Sequence, residues 1–146
     1  MLKKIFLILL ILGILGFVDA AYLTVQHYEG ASLACSVFSG CDRVTSSAYA
    51  TWGGVPVALV GMLYYAAIAI TAGLAVWKNE KYFFYAPIIG AFGFFASLWF
   101  VYLQVFVLGA FCSYCLVSAL ITFILFGMSL KALSKFGFDI LLTRKR

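Results

Sequence analysis

The fold of this chain is decided by a stretch of 49 residues that carries no charge. It occupies residues 82–130 and reads YFFYAPIIGAFGFFASLWFVYLQVFVLGAFCSYCLVSALITFILFGMSL. A single α-helix of that length, at about 1.5 Å per residue, would be more than twice as long as the ~30 Å hydrocarbon core of a bilayer. The stretch must therefore cross a membrane twice. We predict a turn around Gly109, with spans at Tyr82–Leu108 and Phe111–Leu130.

Two further apolar segments complete a predicted bundle of four membrane-spanning helices. Ile5–Val25 carries a single charged residue, Asp19, and Val55–Val76 lies in a charge-free stretch between Arg43 and Lys78. Each segment is long enough to cross a bilayer as a helix. The chain is 66% hydrophobic and 10% charged, whereas soluble domains average about 25% charged residues. The sequence therefore predicts an all-α membrane protein with four transmembrane helices.

The whole chain, residues 1–146, is predicted to be a single membrane domain. Four spans and their connections leave no room for an appended soluble domain of even ~50 residues. The net charge of +5 does not indicate a nucleic-acid partner, because the basic residues lie at the ends of the apolar segments.

The basic residues also predict how the bundle is oriented. Nine of the ten Lys and Arg residues fall on one side of the predicted spans, and only Arg43 falls on the other. Because Lys and Arg are enriched in cytoplasmic loops, we expect both termini in the cytoplasm and the protein in the cell (inner) membrane. The nine are Lys3, Lys4, Lys78, Lys81, Lys131, Lys135, Arg144, Lys145 and Arg146.

The N-terminal segment permits a second interpretation as a signal peptide. The basic pair Lys3-Lys4, a long apolar run and the small residue before Ala21 resemble a cleavable leader. A membrane span is favoured, because the apolar run continues past Ala21 and because cleavage would leave only three spans.

The segment between the first two spans, residues 26–54, is the one sizeable loop predicted outside the cytoplasm. Its first part contains several Gly and Ser residues and can bend easily. The part from Asp42 to Thr51 lacks Gly and Pro, and Val44, Ala48 and Trp52 recur at helical spacing. It predicts a short helix on the membrane surface. An irregular loop anchored by Trp52 fits the periodicity equally well.

The four cysteines form two closely spaced pairs on the predicted outer side. Cys35 and Cys41 lie in the loop, and Cys112 and Cys115 form a CxxC motif that opens the fourth span. Residues three apart lie on one helical face about 5–6 Å apart, so their disulfide can open and close with little backbone movement. The helix dipole favours a thiolate at a helix N-terminus. Disulfides form and persist outside the cytoplasm.

Together the two pairs predict a redox relay, although two other readings stay open. A loop pair that reacts with a soluble partner can exchange with a fixed pair through a mixed disulfide. Cys115 lies one turn deeper than Cys112, about 4.5 Å, and is better placed to meet a lipid-soluble electron carrier. Alternatively, a non-enzymatic membrane protein could carry a structural loop disulfide. A thiolate metal site is disfavoured, because His and acidic ligands are lacking around Cys112 and Cys115.

Taken together, several short motifs resemble the vitamin K epoxide reductase family between about Asp19 and Ala119. The resemblance implies four helices around a quinone, either ubiquinone or menaquinone, that exchanges electrons with the CxxC pair. The motifs are Asp19-Ala-Ala-Tyr22-Leu23-Thr24, Cys35-x5-Cys41, Ser46-Ser47, Gly54-Val55-Pro56 with Gly61, and Cys112-Ser-Tyr-Cys115.

The same resemblance implies a role for each cysteine and for one serine. Cys115 is expected beside the quinone, and Cys112 is expected to exchange with Cys41 of the loop. Cys35 is the expected contact for an extracytoplasmic thioredoxin-like protein. Ser47 matches a family serine near the quinone. The expected activity is that of a bacterial or archaeal thiol:quinone oxidoreductase that supports disulfide-bond formation.

The chain departs from the family pattern in two respects. Vertebrate members hold the quinone oxygens with an Asn in span two and a Tyr after the CxxC motif, whereas the matching positions here are Val57 and Ala119. We therefore expect quinone reduction rather than epoxide reduction. Many bacterial members carry a fused thioredoxin-like domain, which this sequence lacks, so we expect the thiol partner to be a separate protein.

Several other residues have side chains that could serve the function. Asp19 is expected to face the bundle or the interface, because a carboxyl group exposed to lipid is costly. A structural hydrogen bond is favoured for it over proton transfer, and His27 is favoured as an interface residue over a proton shuttle. The aromatic residues of span three are favoured as packing or lipid contacts over a quinone pocket. They are Phe92, Phe94, Phe95, Trp99 and Tyr102.

Overall fold

A computed structural model describes residues 2–30, 32–33, 35 and 40–144, without the side chains of residues 80, 81 and 136–144. Within those ranges, four helical segments are long and apolar enough to cross a membrane. The predicted four-helix membrane architecture is therefore confirmed. The segments are Leu2–Glu29, Val57–Trp77, Tyr82–Leu108 and Ser113–Lys135.

The described chain is almost entirely helical, with one small hairpin. The α-helices are α1 (Leu2–Glu29), α2 (Cys41–Thr45), α3 (Val57–Trp77), α4 (Ala86–Tyr102) and α5 (Ser113–Arg144). Short 3-10 helices cover Ala48–Ala50 and Glu80–Tyr85, and a π-helical turn covers Leu103–Leu108. Strands β1 (Thr51–Trp52) and β2 (Val55–Pro56) pair antiparallel.

The long apolar stretch turns where the sequence predicts. Gly109 has φ of 56°, in the left-handed region that a residue with a side chain rarely adopts, and it ends the third span. The Ala110 N–H donates to the carbonyl oxygen of Gln104 at 3.2 Å, which closes the turn. Because the turn is this tight, the start of α5 lies next to the end of the third span.

Small residues let α1 and α3 approach closely. A Cβ atom on Gly16 would overlap the ring of Tyr65, and one on Gly13 would lie 3.2 Å from the backbone nitrogen of Ala69. The Tyr65 hydroxyl reaches α5, 2.7 Å from Ser118 Oγ and 2.9 Å from Thr122 Oγ1. Glycines that face a neighbouring helix are common in membrane bundles, where close van der Waals contact drives association. One tyrosine thus ties three helices together.

The loop carries a short helix, as predicted, but the helix does not extend over residues 42–51. Helix α2 begins at Cys41 and ends at Thr45, and Trp52 lies in β1. Val44 packs inward, whereas Trp52 is 84% exposed, so the two residues do not share a helical face. The physical reason is the Gly-Gly pair at residues 53–54, which has positive φ and forms a two-residue hairpin turn.

Side-chain hydrogen bonds support the single turn of α2. Thr45 Oγ1 donates to the Cys41 carbonyl oxygen at 2.9 Å, and Ser46 Oγ donates to that of Asp42 at 2.5 Å. Both hydroxyl groups thus bond to carbonyl oxygens of this short helix. The short α2 thus begins at Cys41, which is a member of the first cysteine pair.

Candidate thiol–disulfide site

The structure brings all four cysteines together, although the pairs are far apart in the sequence. Cys41 is 1% exposed and Cys112 is 0% exposed, and both lie in one buried group. We call this group the cysteine cluster. Its buried members are Leu23, Leu33, Cys41 and Cys112, and Cys35, Val44, Ala58, Tyr114 and Cys115 pack against them.

The two pairs are in different redox states. Cys35 and Cys41 are joined by a disulfide with their Cα atoms 6.1 Å apart, within the usual range. Cys112 and Cys115 are free thiols. The loop disulfide thus lies against the two thiols of the CxxC pair. A disulfide and a pair of thiols differ by two electrons and two protons.

A close backbone contact holds the loop over the start of α5. Gly40 lies so near the turn that an added Cβ atom would be 2.9 Å from the Phe111 backbone nitrogen and 3.0 Å from Ala110 Cβ. One carboxylate oxygen of Asp42 accepts a hydrogen bond from the Leu33 N–H at 2.7 Å, which folds the loop back on itself. Cys41 lies between these two anchors and is therefore fixed beside Cys112.

The turn beneath Cys112 depends on Gln104, a residue to which the sequence analysis gave no role. Gln104 is 2% exposed, and its Oε1 accepts a hydrogen bond from the Cys112 N–H at 2.8 Å. The available signal was that Gln104 is the only Asn or Gln within residues 82–130. An amide buried in an apolar span is costly unless it has partners, so it indicates a structural or functional contact.

Cys112 occupies the N-terminal capping position of α5. Its surroundings make its thiol more reactive than that of Cys115. The Cys115 N–H donates to Cys112 Sγ at 3.3 Å. The hydrogen bond from the Cys115 side chain lowers the pKa of the Cys112 thiol most, and the backbone N–H groups of Cys115 and Tyr114 lower it further, against the opposing effect of burial. A lowered pKa favours the thiolate, which is the attacking form in disulfide exchange.

Comparison with known proteins places this site in a known family. The sequence model of the vitamin K epoxide reductase family matches residues 7–130. The chain belongs to this family. It is also similar to the thiol-disulfide oxidoreductase LTO1 of Arabidopsis thaliana, with 35% identity over 124 residues, covering 77% of this chain and 32% of that protein. The chain thus spans about a third of that relative's length.

Family membership and the described fold together support two general statements. With four apolar helices, this member of the vitamin K epoxide reductase family is a multi-pass membrane protein. The loop disulfide beside a CxxC pair is an arrangement that permits thiol–disulfide exchange. The resemblance to this family that the short motifs indicate is confirmed.

Ser47 lies outside the cysteine cluster of this family member. Its hydroxyl donates to the Val44 carbonyl oxygen at 2.7 Å, and its side chain is half-buried. Val57 begins α3 and Ala119 is buried on α5, and neither has a side chain that forms hydrogen bonds. A role for Ser47 near a quinone stays a prediction.

One carboxyl oxygen of Asp19 lacks the structural hydrogen bond that the sequence favours. Its Oδ2 atom is buried and has no hydrogen-bond partner in the described part of the chain. Of the span-three aromatics, Phe94 packs on Phe123 and Phe126 of α5, with ring centroids 5.1 and 4.9 Å apart. Trp99 is exposed on the apolar outer surface, as are most of its aromatic neighbours. Packing and lipid contact therefore account for these rings.

No metal centre is evident in the ranges that the structure describes. Within them, no group of three or more His, Cys, Asp or Glu side chains is arranged to hold a metal ion. His27 is half-buried near the end of α1, and its ring meets that of Tyr28 edge-on at 6.0 Å.

Proposed function

We propose that this protein is a membrane thiol:quinone oxidoreductase that transfers two electrons from an extracytoplasmic thioredoxin-like protein to a quinone. The observation that carries the proposal is the burial of Cys41 and Cys112 in one cluster, with a loop disulfide against a reduced CxxC pair. A structural disulfide alone would not need a second thiol pair beside it. The family match supports the same chemistry.

The first half of the proposed reaction is disulfide exchange. A thiolate of the partner attacks Cys35, which is half-buried and thus more accessible than Cys41. The released Cys41 thiolate attacks the sulfur of Cys112 in an oxidised CxxC pair, and Cys115 leaves as a thiolate. The second thiolate of the partner attacks the partner–Cys35 mixed disulfide, which releases the oxidised partner and a Cys35 thiolate. Cys35 then attacks Cys41 of the Cys41–Cys112 mixed disulfide and releases Cys112 as a thiolate. The products are a loop disulfide and a reduced CxxC pair, which is the state of the described structure.

The second half is oxidation of the CxxC pair by the quinone substrate. Cys112 and Cys115 lose two electrons and two protons and form a disulfide, and the quinone becomes a quinol. Cys115 lies in the first turn of α5, deeper than Cys112. Near the pair, Asp19 Oδ2 and Ser113 Oγ are buried without partners in the described chain. The Ser113 hydroxyl can donate to a quinone oxygen, and the Asp19 carboxyl group can do so once it carries a proton.

We further propose that the site opens on the extracytoplasmic side of a cell membrane, with both termini in the cytoplasm. The support is the asymmetry of the basic residues, of which nine lie on the side of the termini and only Arg43 lies in the loop. A site on the outer side also meets the compartment in which disulfides persist.

The proposal is tested by mixing purified protein in detergent with a reduced thioredoxin-like protein and with ubiquinone or menaquinone. We expect quinol to form in proportion to oxidised partner, one for one. The matched control is Cys112→Ser, which removes the thiol that exchanges with the loop. If wild-type protein forms no quinol with either quinone, the protein is not a thiol:quinone oxidoreductase, and the structural-disulfide alternative takes its place.

A further inference from the structure

The position of Asp19 on α1 can be read from the contacts of its neighbours one turn away. On one side, Gly16 lies against the ring of Tyr65, whose hydroxyl bonds to Ser118 of α5. On the other side, the ring of Tyr22 meets that of Tyr114 on α5, with centroids 5.3 Å apart. Residues three apart share a helical face. Asp19 therefore faces α5 between Tyr114 and Ser118, which is the level of Cys115.

The electrostatic contacts of Asp19 agree with that position. Its carboxyl group interacts with Tyr65 on α3 and with Cys112, Tyr114 and Cys115 on α5. The carboxyl group of Asp19 therefore lies close enough to Cys112 and Cys115 to interact with both.

The Tyr65 hydroxyl, on one side of Asp19, already has partners, whereas Ser113 Oγ at the start of α5 has none among the described residues. The Tyr65 hydroxyl lies within hydrogen-bond distance of Ser118 Oγ and Thr122 Oγ1. Asp19 Oδ2, by contrast, is buried and has no partner in the described residues. A buried polar atom without a partner is costly, so its retention beside reactive thiols calls for a functional reason.

We propose that Asp19 is the proton-transfer residue of the CxxC pair. Oxidation of Cys112 and Cys115 breaks two S–H bonds, forms one S–S bond and releases two electrons and two protons. The quinone substrate takes both electrons. The Asp19 carboxylate takes the proton of Cys115 and passes it to one quinone oxygen, so Asp19 ends as it began. The proton of Cys112 is released to water, and the second quinone oxygen takes one from water. The inference rests on the proposed function.

The test compares Asp19→Asn, which keeps the shape but cannot carry a proton, with Asp19→Glu, which can. Quinol formation by pre-reduced protein is followed by stopped-flow absorbance over a range of pH. General acid–base groups typically contribute 10²–10⁴-fold, so we expect Asp19→Asn to be at least about 100-fold slower. Asp19→Glu should recover part of the rate with a displaced pH profile. The matched control is Thr71→Val on α3, which removes a hydroxyl bonded within its own helix and should leave the rate unchanged.

A second readout separates proton transfer from a structural role. Exchange between Cys112 and the loop disulfide does not involve the quinone, so its rate in a Cys115→Ala background should be the same with and without Asp19→Asn. If exchange slows together with quinol formation, Asp19 positions the helices and the proposal is wrong. If Asp19→Asn forms quinol at the wild-type rate, the proposal is also wrong while the proposed function stands. If wild-type protein forms no quinol, both fall.

Infrared difference spectroscopy of the wild-type protein keeps the proposal testable where Asp19→Asn does not fold. In spectra recorded during turnover, we expect a carboxylic-acid carbonyl band to appear after quinone is added to the reduced protein and then to disappear, and the band to shift in Asp19→Glu. A spectrum without any carboxyl change would overturn the proposal.

Discussion

At the scale of single residues, the two thiols of the CxxC motif have different surroundings and hence different tasks. Cys112 is fully buried against Cys41, and hydrogen bonds lower its pKa. Cys115 is half-buried within the first turn of α5. The first thiol is suited to exchange with the loop, and the second is suited to meet a substrate from the bilayer.

Replacing Cys115 by Ser should abolish quinol formation and leave the fold nearly intact. The change removes the thiol that meets the quinone, whereas the helices satisfy their own backbone hydrogen bonds in lipid. Quinol formation and thermal stability in detergent are measured on the same sample. A folded Cys115→Ser protein that turns over at the wild-type rate would remove the CxxC pair from the mechanism.

Ser47→Ala should have a milder effect than any cysteine substitution. A net hydrogen bond is worth about 0.5–1.5 kcal/mol, which corresponds to a loss of roughly threefold to tenfold in rate if Ser47 contacts the quinone. Its hydroxyl already donates to the Val44 carbonyl oxygen, so loop stability is measured in parallel. A rate equal to that of wild type would place Ser47 outside the quinone site.

Gln104→Met should destabilise the turn that presents Cys112. The substitution keeps the volume but leaves the buried Cys112 N–H without its acceptor, which typically costs about 1–3 kcal/mol. The measurement is the thermal unfolding midpoint in detergent, with exchange between the two cysteine pairs measured on the same sample. An unchanged midpoint together with unchanged exchange would show that Gln104 does not support the site.

At the scale of elements, the contact between the loop and the start of α5 decides whether the pairs can react. Glycine is required at residue 40 because the loop lies directly on the turn before α5. In Gly40→Ala the new methyl group would push the loop outward. Misplacement of reacting groups by 1 Å can cost about 100-fold, so we expect exchange to slow by tenfold or more. Gly127→Ala is the matched control, because a Cβ atom there meets nothing within 4 Å.

The same contact predicts a disulfide that links the loop to the fourth span. In Cys115→Ala protein, the Cys112 thiolate attacks Cys41 Sγ of the loop disulfide and releases Cys35, which an alkylating reagent then captures. Non-reducing peptide mapping should find Cys41 bonded to Cys112. Cys112→Ala is the control that cannot form the bond. Alkylated Cys35 without a Cys41–Cys112 peptide would show that the proposed electron path is wrong.

Some of these elements can be predicted from the sequence alone, and others cannot. Charge-free length predicts four spans, and Gly109 marks the turn, because these features depend on local composition and backbone geometry. The loop is less predictable from the sequence. The helical spacing of Val44, Ala48 and Trp52 predicts a helix, whereas the Gly-Gly pair forms a hairpin turn. Gln104 could be noticed as an amide in an apolar span. Its partner, the Cys112 N–H, depends on the tertiary fold and cannot be read from spacing.

At the scale of the whole molecule, the orientation of the bundle decides which thiol partners can reach the site. The two cysteine pairs lie at the same end of the bundle, because the loop follows α1 and the CxxC motif follows the third span. An even number of spans places the N-terminus and the residues after α5 on the opposite side. Basic residues cluster on that side, so it is expected to be cytoplasmic.

Reporter tags and thiol labelling test this orientation in intact cells. Tags fused at either end should be active only as cytoplasmic reporters, and a membrane-impermeant maleimide should label Cys35 after mild reduction but not before, because its sulfur is held in a disulfide. Cys35→Ala is the control for labelling at other thiols, of which Cys112 is fully buried. Arg43 is the one basic residue on the loop side, so substituting it should leave the orientation unchanged. A C-terminal tag reporting from outside the cytoplasm would contradict the proposed orientation, since the cysteine cluster would then face a compartment that keeps thiols reduced.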